Sequence, residues 1–318
     1  MKKKKVSLVV PCYNEEKNVG LFYDECKKSF KKCNFKLELV FVNDGSKDET
    51  LEILKQNYNK GKKDKIAVKV ISFSRNFGKE AAMYAGLENA TGDYIGIIDA
   101  DLQQRPDLVK DMVKELDEDD KIDCVCYYQE KRIENRVVSF LKKKFYKFIT
   151  KISEVEFVEG ASDFRLFRKY VVDAILSLSE KNRFSKGIFS WVGFNTKYLP
   201  YTPDERMYGK SSFSLKGLFK YALSGILAFS VAPLKISTYL GLLFSSLSFI
   251  YLIVVLIQKI FFSINVPGYA TLISCLLLIG GLILFALGII GEYLSRLYLE
   301  VKNRPIYLVR DYFDSEEK

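Results

Sequence analysis

Two carboxylates separated by one small residue, Asp99-Ala100-Asp101, stand at the end of an apolar run and lead into Leu102-Gln103-Gln104-Arg105-Pro106. Acids this close repel unless a cation lies beside them, and hard divalent ions prefer oxygen ligands. Gln103 can add a neutral oxygen. Mg2+ or Mn2+ held there would bridge a diphosphate and neutralise a leaving group. An isolated D-x-D arises readily by chance, so its place at the end of a strand-like run is what gives it weight. Three other polar clusters occupy similar places: Tyr13–Glu15, Asn43–Ser46 and Arg75–Lys79 each follow a short apolar run.

Those runs are the elements that must position the clusters. Val6–Pro11, Leu37–Val42, Val68–Ser72 and Tyr94–Ile98 predict strands, with helical patterns between them, one ending near Phe30 and one covering Lys79–Ala90. Strands that alternate with helices predict a mostly parallel α/β sheet, and in such sheets ligands sit beyond the carboxyl ends of the strands. All four clusters fall there. No G-x-G-x-x-G follows the first strand and no P-loop is present, so neither a classical dinucleotide site nor a Walker phosphate cradle is expected.

Composition narrows the chemistry. Of 318 residues none is His, which excludes His-based catalysis, His metal ligands and Ser-His-Asp triads. The mean hydropathy of -0.00 hides a split. Ile236–Gln258 holds no charged residue over 23 positions, and a second such stretch runs from Ile260 to Gly291, broken by Asn265, Pro267 and Gly268. At about 1.5 Å per residue the first reaches roughly 34 Å, enough for a hydrocarbon core of about 30 Å. Two membrane spans are therefore expected, over 236–258 and 269–291. Basic residues flank the outer ends (Lys210, Lys216, Lys220 and Lys235; Arg296, Lys302, Arg304 and Arg310), whereas Lys259 stands alone in the connection. Both termini and the domain before the spans are thus expected in the cytoplasm, at the inner or plasma membrane.

The net charge of +10 also has an address. Lys2–Lys5 supply four charges and Arg136–Lys151 supply six, so the rest of the chain sums to zero. Residues 136–152 read as a basic amphipathic helix suited to an anionic membrane surface, and a nucleic-acid partner is not expected. The six cysteines include no C-x-x-C pair and read as buried free thiols, with Cys124 and Cys126 on one face of a strand. Val6–Val10 is too short for the apolar core of a secretory leader, so none is expected.

The sequence resembles family-2 glycosyltransferases of GT-A fold, and more closely the polyprenyl-phosphate branch that includes dolichol-phosphate mannose synthases and bacterial undecaprenyl-phosphate glucosyltransferases. The resemblance rests on Pro11-Cys-Tyr-Asn-Glu15, Val42-Asn-Asp-Gly-Ser46, Ser74-Arg-Asn-Phe-Gly-Lys79, Asp99-Ala-Asp-Leu-Gln-Gln-Arg-Pro106, Asp163-Phe-Arg-Leu166, Lys186-Gly-Ile-Phe-Ser-Trp-Val-Gly193 and Arg206-Met-Tyr-Gly209. It implies a GT-A sheet flanked by helices, with interfacial amphipathic helices and a C-terminal two-helix transmembrane hairpin. It implies that Pro11, Tyr13, Glu15 and Asp44 hold base and ribose, that Arg75 and Lys79 lie near base or phosphate, and that Asp99 contacts the nucleotide. Asp101, with Gln103, would bind Mg2+ or Mn2+. Asp163 and Arg165 would lie near the sugar and the acceptor phosphate. Arg132, Arg136 and Arg206 are further candidates for that phosphate. Two departures stand out: Asn43 replaces the usual Asp, and Ser212 replaces the usual Lys after Gly209, with Lys210 close by.

The expected reaction is inverting transfer of a sugar from a nucleotide sugar to polyprenyl phosphate, for cell-envelope glycan modification. UDP-glucose is the first choice of donor, ahead of UDP-N-acetylglucosamine and GDP-mannose. The competing reading is a membrane-tethered nucleotide-sugar-binding protein without transfer activity. The expected organisation is a catalytic domain over 1–213, a juxtamembrane helix over 214–235, the two spans within 236–293, and a cytoplasmic tail over 294–318. By resemblance a homo-oligomer, a tetramer, is expected.

Overall fold

A computed structural model describes residues 3–129, 158, 160–202, 229–262 and 268–316. Eight strands form one mixed sheet in the order β7-β5-β6-β4-β1-β2-β3-β8. The four expected strands are its centre: β1 (Lys5–Cys12), β2 (Lys36–Asn43), β3 (Ala67–Phe73) and β4 (Tyr94–Ile97), all parallel. Helices α1 (Val19–Phe30), α2 (Thr50–Asp64) and α3 (Lys79–Asn89) connect them. After β4, α4 (Val109–Glu118) leads to β5 (Cys124–Gln129). Beyond it come β6 (Ala161–Arg168), α5 (Lys169–Ser177), α6 (Ser185–Trp191) and β7 (Thr196–Tyr201). β6 runs antiparallel to both β4 and β5, which makes the sheet mixed.

The period of two along β1 builds a core on each face. Val6, Leu8 and Val10 pack with Phe22, Leu54 and Met112 on one side. Val9 packs with Val40, Ala82 and Ile188 on the other. Strands covered on both faces read as mainly apolar runs, which is why they stand out in the sequence. Cys124 and Cys126 lie on β5 as buried free thiols.

Helices α7 (Ala232–Phe262) and α8 (Tyr269–Val301) form the hairpin, and their apolar windows have no residue buried within the chain. Leu242, Leu277 and Leu284 are more than half exposed, an arrangement suited to lipid rather than water. α8 has 33 residues and continues ten positions past the expected end of its span. Glu300 explains the extension: its carboxylate accepts the amides of Lys181 (2.9 and 3.0 Å) and Asn182 (3.0 Å), which anchors the helix end to the sheet domain.

Both ends of the hairpin meet that domain. Before α7, Phe229 lies 6.2 Å from Phe184 between ring centroids, and it packs so closely on Gly187 that a Cβ there would come within 2.2 Å of its ring. The Tyr293 hydroxyl donates to the Ser230 carbonyl at 2.6 Å. After α8 the chain goes further than a tail, because β8 (Val309–Asp314) pairs antiparallel with β3 and closes one edge of the sheet. The domain therefore lies on the side of the hairpin where α7 begins and α8 ends.

At the amino ends of the strands, Glu38 is fully buried and gathers partners from two neighbouring strands and a loop. Lys5 lies 2.9 Å away, Lys69 3.8 Å away, Thr91 donates through its amide (2.9 Å) and hydroxyl (2.8 Å), and Ser7 donates its hydroxyl. Lys69 also reaches Asp314 of β8 at 3.1 Å. Burial alone would raise the Glu38 pKa, but these partners hold it below its ordinary value. That stability is present above the unfolded pKa and lost as pH falls through the lowered folded one. Glu38→Gln should cost about 1.5–3 kcal/mol, measured as loss of domain stability in detergent at neutral pH. An unchanged Tm would show that the network is not structural.

Candidate active site

The loops after β1 and β2 interlock. Asn14 takes a left-handed backbone (φ 55°), its amide donates to Ser46 Oγ (3.0 Å), and its Oδ1 accepts from the Lys47 amide (2.9 Å). The Glu15 amide donates to Thr50 Oγ1 at 2.8 Å. Pro11, half-buried, closes this end of β1, and Tyr13 follows with 44% of its surface exposed, an open aromatic face of the kind on which a base can stack. Glu15 faces back toward the start of α1, where its carboxylate accepts from Asn18 Nδ2 at 2.6 Å.

Asp44 is buried and uses both carboxylate oxygens on the loop after β3. The Phe77 amide donates to Oδ1 (2.6 Å) and the Gly78 amide to Oδ2 (2.9 Å). Burial raises its pKa above the ordinary value, against the pull of these two amides and of Arg75. The neighbouring Gly45 sits at φ 61°, and a Cβ there would fall 2.3 Å from the Arg75 carbonyl carbon, so only glycine lets the two loops touch. Asn43 donates through Nδ2 to Ser72 Oγ (3.0 Å) and accepts through Oδ1 from the Ser46 amide (3.2 Å). This joint use of donor and acceptor gives the Asn at this position a structural role. The Arg75 guanidinium lies 4.1 Å over the Phe77 ring.

Lys79, at the start of α3, brings two strands' acids together. Its ammonium is 2.7 Å from Asp99, which follows β4, and 3.0 Å from Asp163 on β6. Burial works to raise the Asp163 pKa, but Lys79, Lys186 and Arg165 outweigh it and hold the carboxyl at about 2. Lys79 is in turn raised, because the two carboxylates overcome its own burial. In the D-x-D turn Leu102 is left-handed (φ 60°) and the Gln103 amide donates to Asp101 Oδ1 (3.1 Å). The Gln104 side chain accepts from the Asp99 amide at 3.2 Å.

The expected site residues thus divide into three sets. Pro11, Tyr13, Glu15, Asp44, Arg75, Asp99, Asp101 and Gln103 lie at or just beyond the carboxyl ends of the central strands, and Lys79, at the start of α3, joins Asp163 to them. Arg165 is 4% exposed, lies 4.6 Å over the Phe189 ring and donates to the Ser162 carbonyl at 3.1 Å. It supplies charge from behind Asp163. Arg132, Arg136 and Arg206 lie outside the described residues, as do 136–152, Lys210, Ser212 and 214–228. Two residues with no assigned role join the site. Lys186 donates to the Ala161 carbonyl (3.1 Å) and bears on Asp163, while Glu80 accepts from the Ser185 amide (2.9 Å) and ties α3 to α6. Their only signal in the sequence is their place beside Lys79 and within the run Lys186–Gly193.

Residues 7–176 match glycosyl transferase family 2, and residues 232–297 match the GtrB C-terminal hairpin. CsbB of Bacillus subtilis (strain 168) is 42% identical over 311 residues, covering 98% of this chain and 93% of that protein. The bactoprenol glucosyl transferase of Shigella phage SfII is 40% identical over 310 residues, covering 96% and 97%. A prophage bactoprenol glucosyl transferase homolog of Escherichia coli (strain K12) is 39% identical, covering 96% and 98%. The catalytic sheet and the hairpin are therefore shared as one unit, the sheet has the GT-A arrangement, and the chain is a glycosyltransferase that belongs to glycosyl transferase family 2.

Proposed function

We propose that this enzyme transfers glucose from UDP-glucose to a polyprenyl phosphate, undecaprenyl phosphate, at the cytoplasmic face of the membrane. The observation that carries the reading is the Lys79–Asp99–Asp163 cluster at the strand ends of a chain that is similar over nearly its whole length to bactoprenol glucosyl transferases. Residues 1–213 would then be the catalytic domain, presented to the bilayer by the hairpin that follows.

In this reading an acceptor phosphate oxygen attacks the anomeric carbon, the bond from that carbon to the diphosphate breaks, and UDP departs with the bonding pair. Configuration inverts. Asp44, Arg75 and Tyr13 would hold the nucleoside. Lys79, with a side chain 44% exposed, is placed to exchange a carboxylate for a phosphate oxygen. The acceptor is already anionic near neutral pH, so it needs orientation more than deprotonation. An Asp163 carboxyl held at about 2 is a poor general base, since an efficient one titrates near the working pH. Asp163 would orient the sugar or the acceptor instead.

A divalent cation fits the donors present. Among the described residues no three Cys, Asp or Glu groups form a cage, but an ion such as Mg2+ commonly takes one or two carboxylates and completes its shell with substrate phosphates and water. Asp101 and Gln103 would hold it, and it would supply charge neutralisation to the departing diphosphate.

Membranes containing the enzyme, given UDP-[14C]glucose, undecaprenyl phosphate and Mg2+ or Mn2+, should form a labelled prenyl lipid. Label from UDP-N-acetylglucosamine or GDP-mannose in its place would move the donor assignment, and nucleotide binding without transfer would favour a binding protein. Asp101→Ala should reduce transfer about 100-fold or more, and a near wild-type rate would remove the metal assignment. The rate should fall below about pH 6 as the acceptor phosphate dianion takes up a proton and becomes a monoanion. Asp163→Asn should lower the rate without moving that limb, whereas a displaced limb would make Asp163 the base.

A further inference from the structure

The segment that follows the second membrane helix touches the loop assigned to the nucleotide at several points. Ile306 and Tyr307 pack against the core face that holds Val9 and Ala82. The Tyr307 ring stacks on Phe73, the last residue of β3, with centroids 4.9 Å apart and planes 24° from parallel. Phe73 meets Phe77 edge-on at 5.7 Å, and the Arg75 guanidinium covers the Phe77 ring. The Leu308 carbonyl accepts the Ser74 amide at 3.0 Å. The Tyr307 hydroxyl donates to Glu88 of α3 at 2.5 Å. Residues 74–78 are thus gripped from two sides: by Asp44 at the end of β2, and by a strap that reaches the domain only after the chain has passed through the hairpin.

The grip has consequences for geometry. Residues 74–78 belong to neither β3 nor α3, so few ladder or helix hydrogen bonds fix them. The Phe77 and Gly78 amides go to Asp44, the Ser74 amide goes to the strap, and the ring of Phe77 rests on a column whose outer member is Tyr307. A loop fixed this way holds Asp44 and Arg75 in one relative position before ligand arrives, which lowers the ordering cost of binding.

We propose that Tyr307 is a positioning residue for nucleotide recognition, holding Phe73 and Phe77 so that Arg75 and Asp44 together meet a nucleoside diphosphate. The inference rests on the nucleotide reading of Asp44 and Arg75 given above. It makes the end of the hairpin part of the donor site as well as of the membrane anchor.

The test uses the full-length enzyme in lipid nanodiscs, with UDP titrated calorimetrically and KM measured for both substrates. Tyr307→Ala should weaken UDP binding roughly three- to ten-fold, the range of one lost aromatic pair, and raise KM for the nucleotide sugar in step. KM for the lipid and kcat should stay at wild-type values. Tyr307→Phe keeps the stack and should bind UDP like wild type. If Tyr307→Ala fails to fold, Tyr307→Leu fills the volume without a ring and should show the same loss. Equal UDP affinity in wild type and the Ala or Leu variant overturns the inference alone. So does a common shift in both KM values and kcat, or a Phe variant as weak as the Ala variant. Wild type that binds no UDP overturns the nucleotide reading itself, and this inference falls with it.

Discussion

Carboxylates from separate strands repel when they converge, and without a cation between them one would take up a proton or the strands would part. Lys79 is what allows Asp99 and Asp163 to face the same point. Much of the architecture serves that contact. β6 must run against β4 to bring Asp163 beside the D-x-D turn. α3 must start where its first residue points between the two acids. Glu80, one residue on, secures that start to α6, which also carries Lys186 to the far side of Asp163. The result is a site in which Lys79 offsets the repulsion between Asp99 and Asp163 before any substrate is present.

The membrane imposes the second constraint. A lipid acceptor has its headgroup confined to a plane, so the catalytic loops must be held at a fixed height and tilt above it. A single flexible tether would fix neither. Here the hairpin grips the domain at both ends, through Phe229 against Gly187 and Phe184, and through Glu300 on the amides of Lys181 and Asn182. These contacts lie on α6 and the turn before it, the same region that brings Lys186 to the site. Anchor and acid cluster are therefore neighbours through one short helix.

The parts of the fold that were legible in the sequence are those with local signatures. β1 to β4 are covered on both faces, so their side chains form mainly apolar runs, interrupted near the amino ends by Ser7, Glu38 and Lys69, that end where the polar clusters begin. The two spans are readable because no charge interrupts them. β6 hides better. Its sequence, Ala-Ser-Asp-Phe-Arg-Leu-Phe-Arg, mixes charges with rings, and the alternation of the strand turns Arg165 inward beside Phe167 and Phe189, where composition alone would send it to the surface. The partners of Asp44 are backbone amides, which carry no residue code. β8 is short, polar and far along the chain from β3, so no periodicity names its partner.

That last strand sets an order of events during synthesis. β3 leaves the ribosome early and its outer edge has no neighbour until Val309–Asp314 emerges, after both apolar helices have been made. An open edge is a template for pairing with other chains, and distant strand pairings close slowly. Synthesis of the hairpin therefore comes before completion of the sheet. The loop after β3 gains its last contacts, from Tyr307, Leu308 and β8, only after both apolar helices have been made.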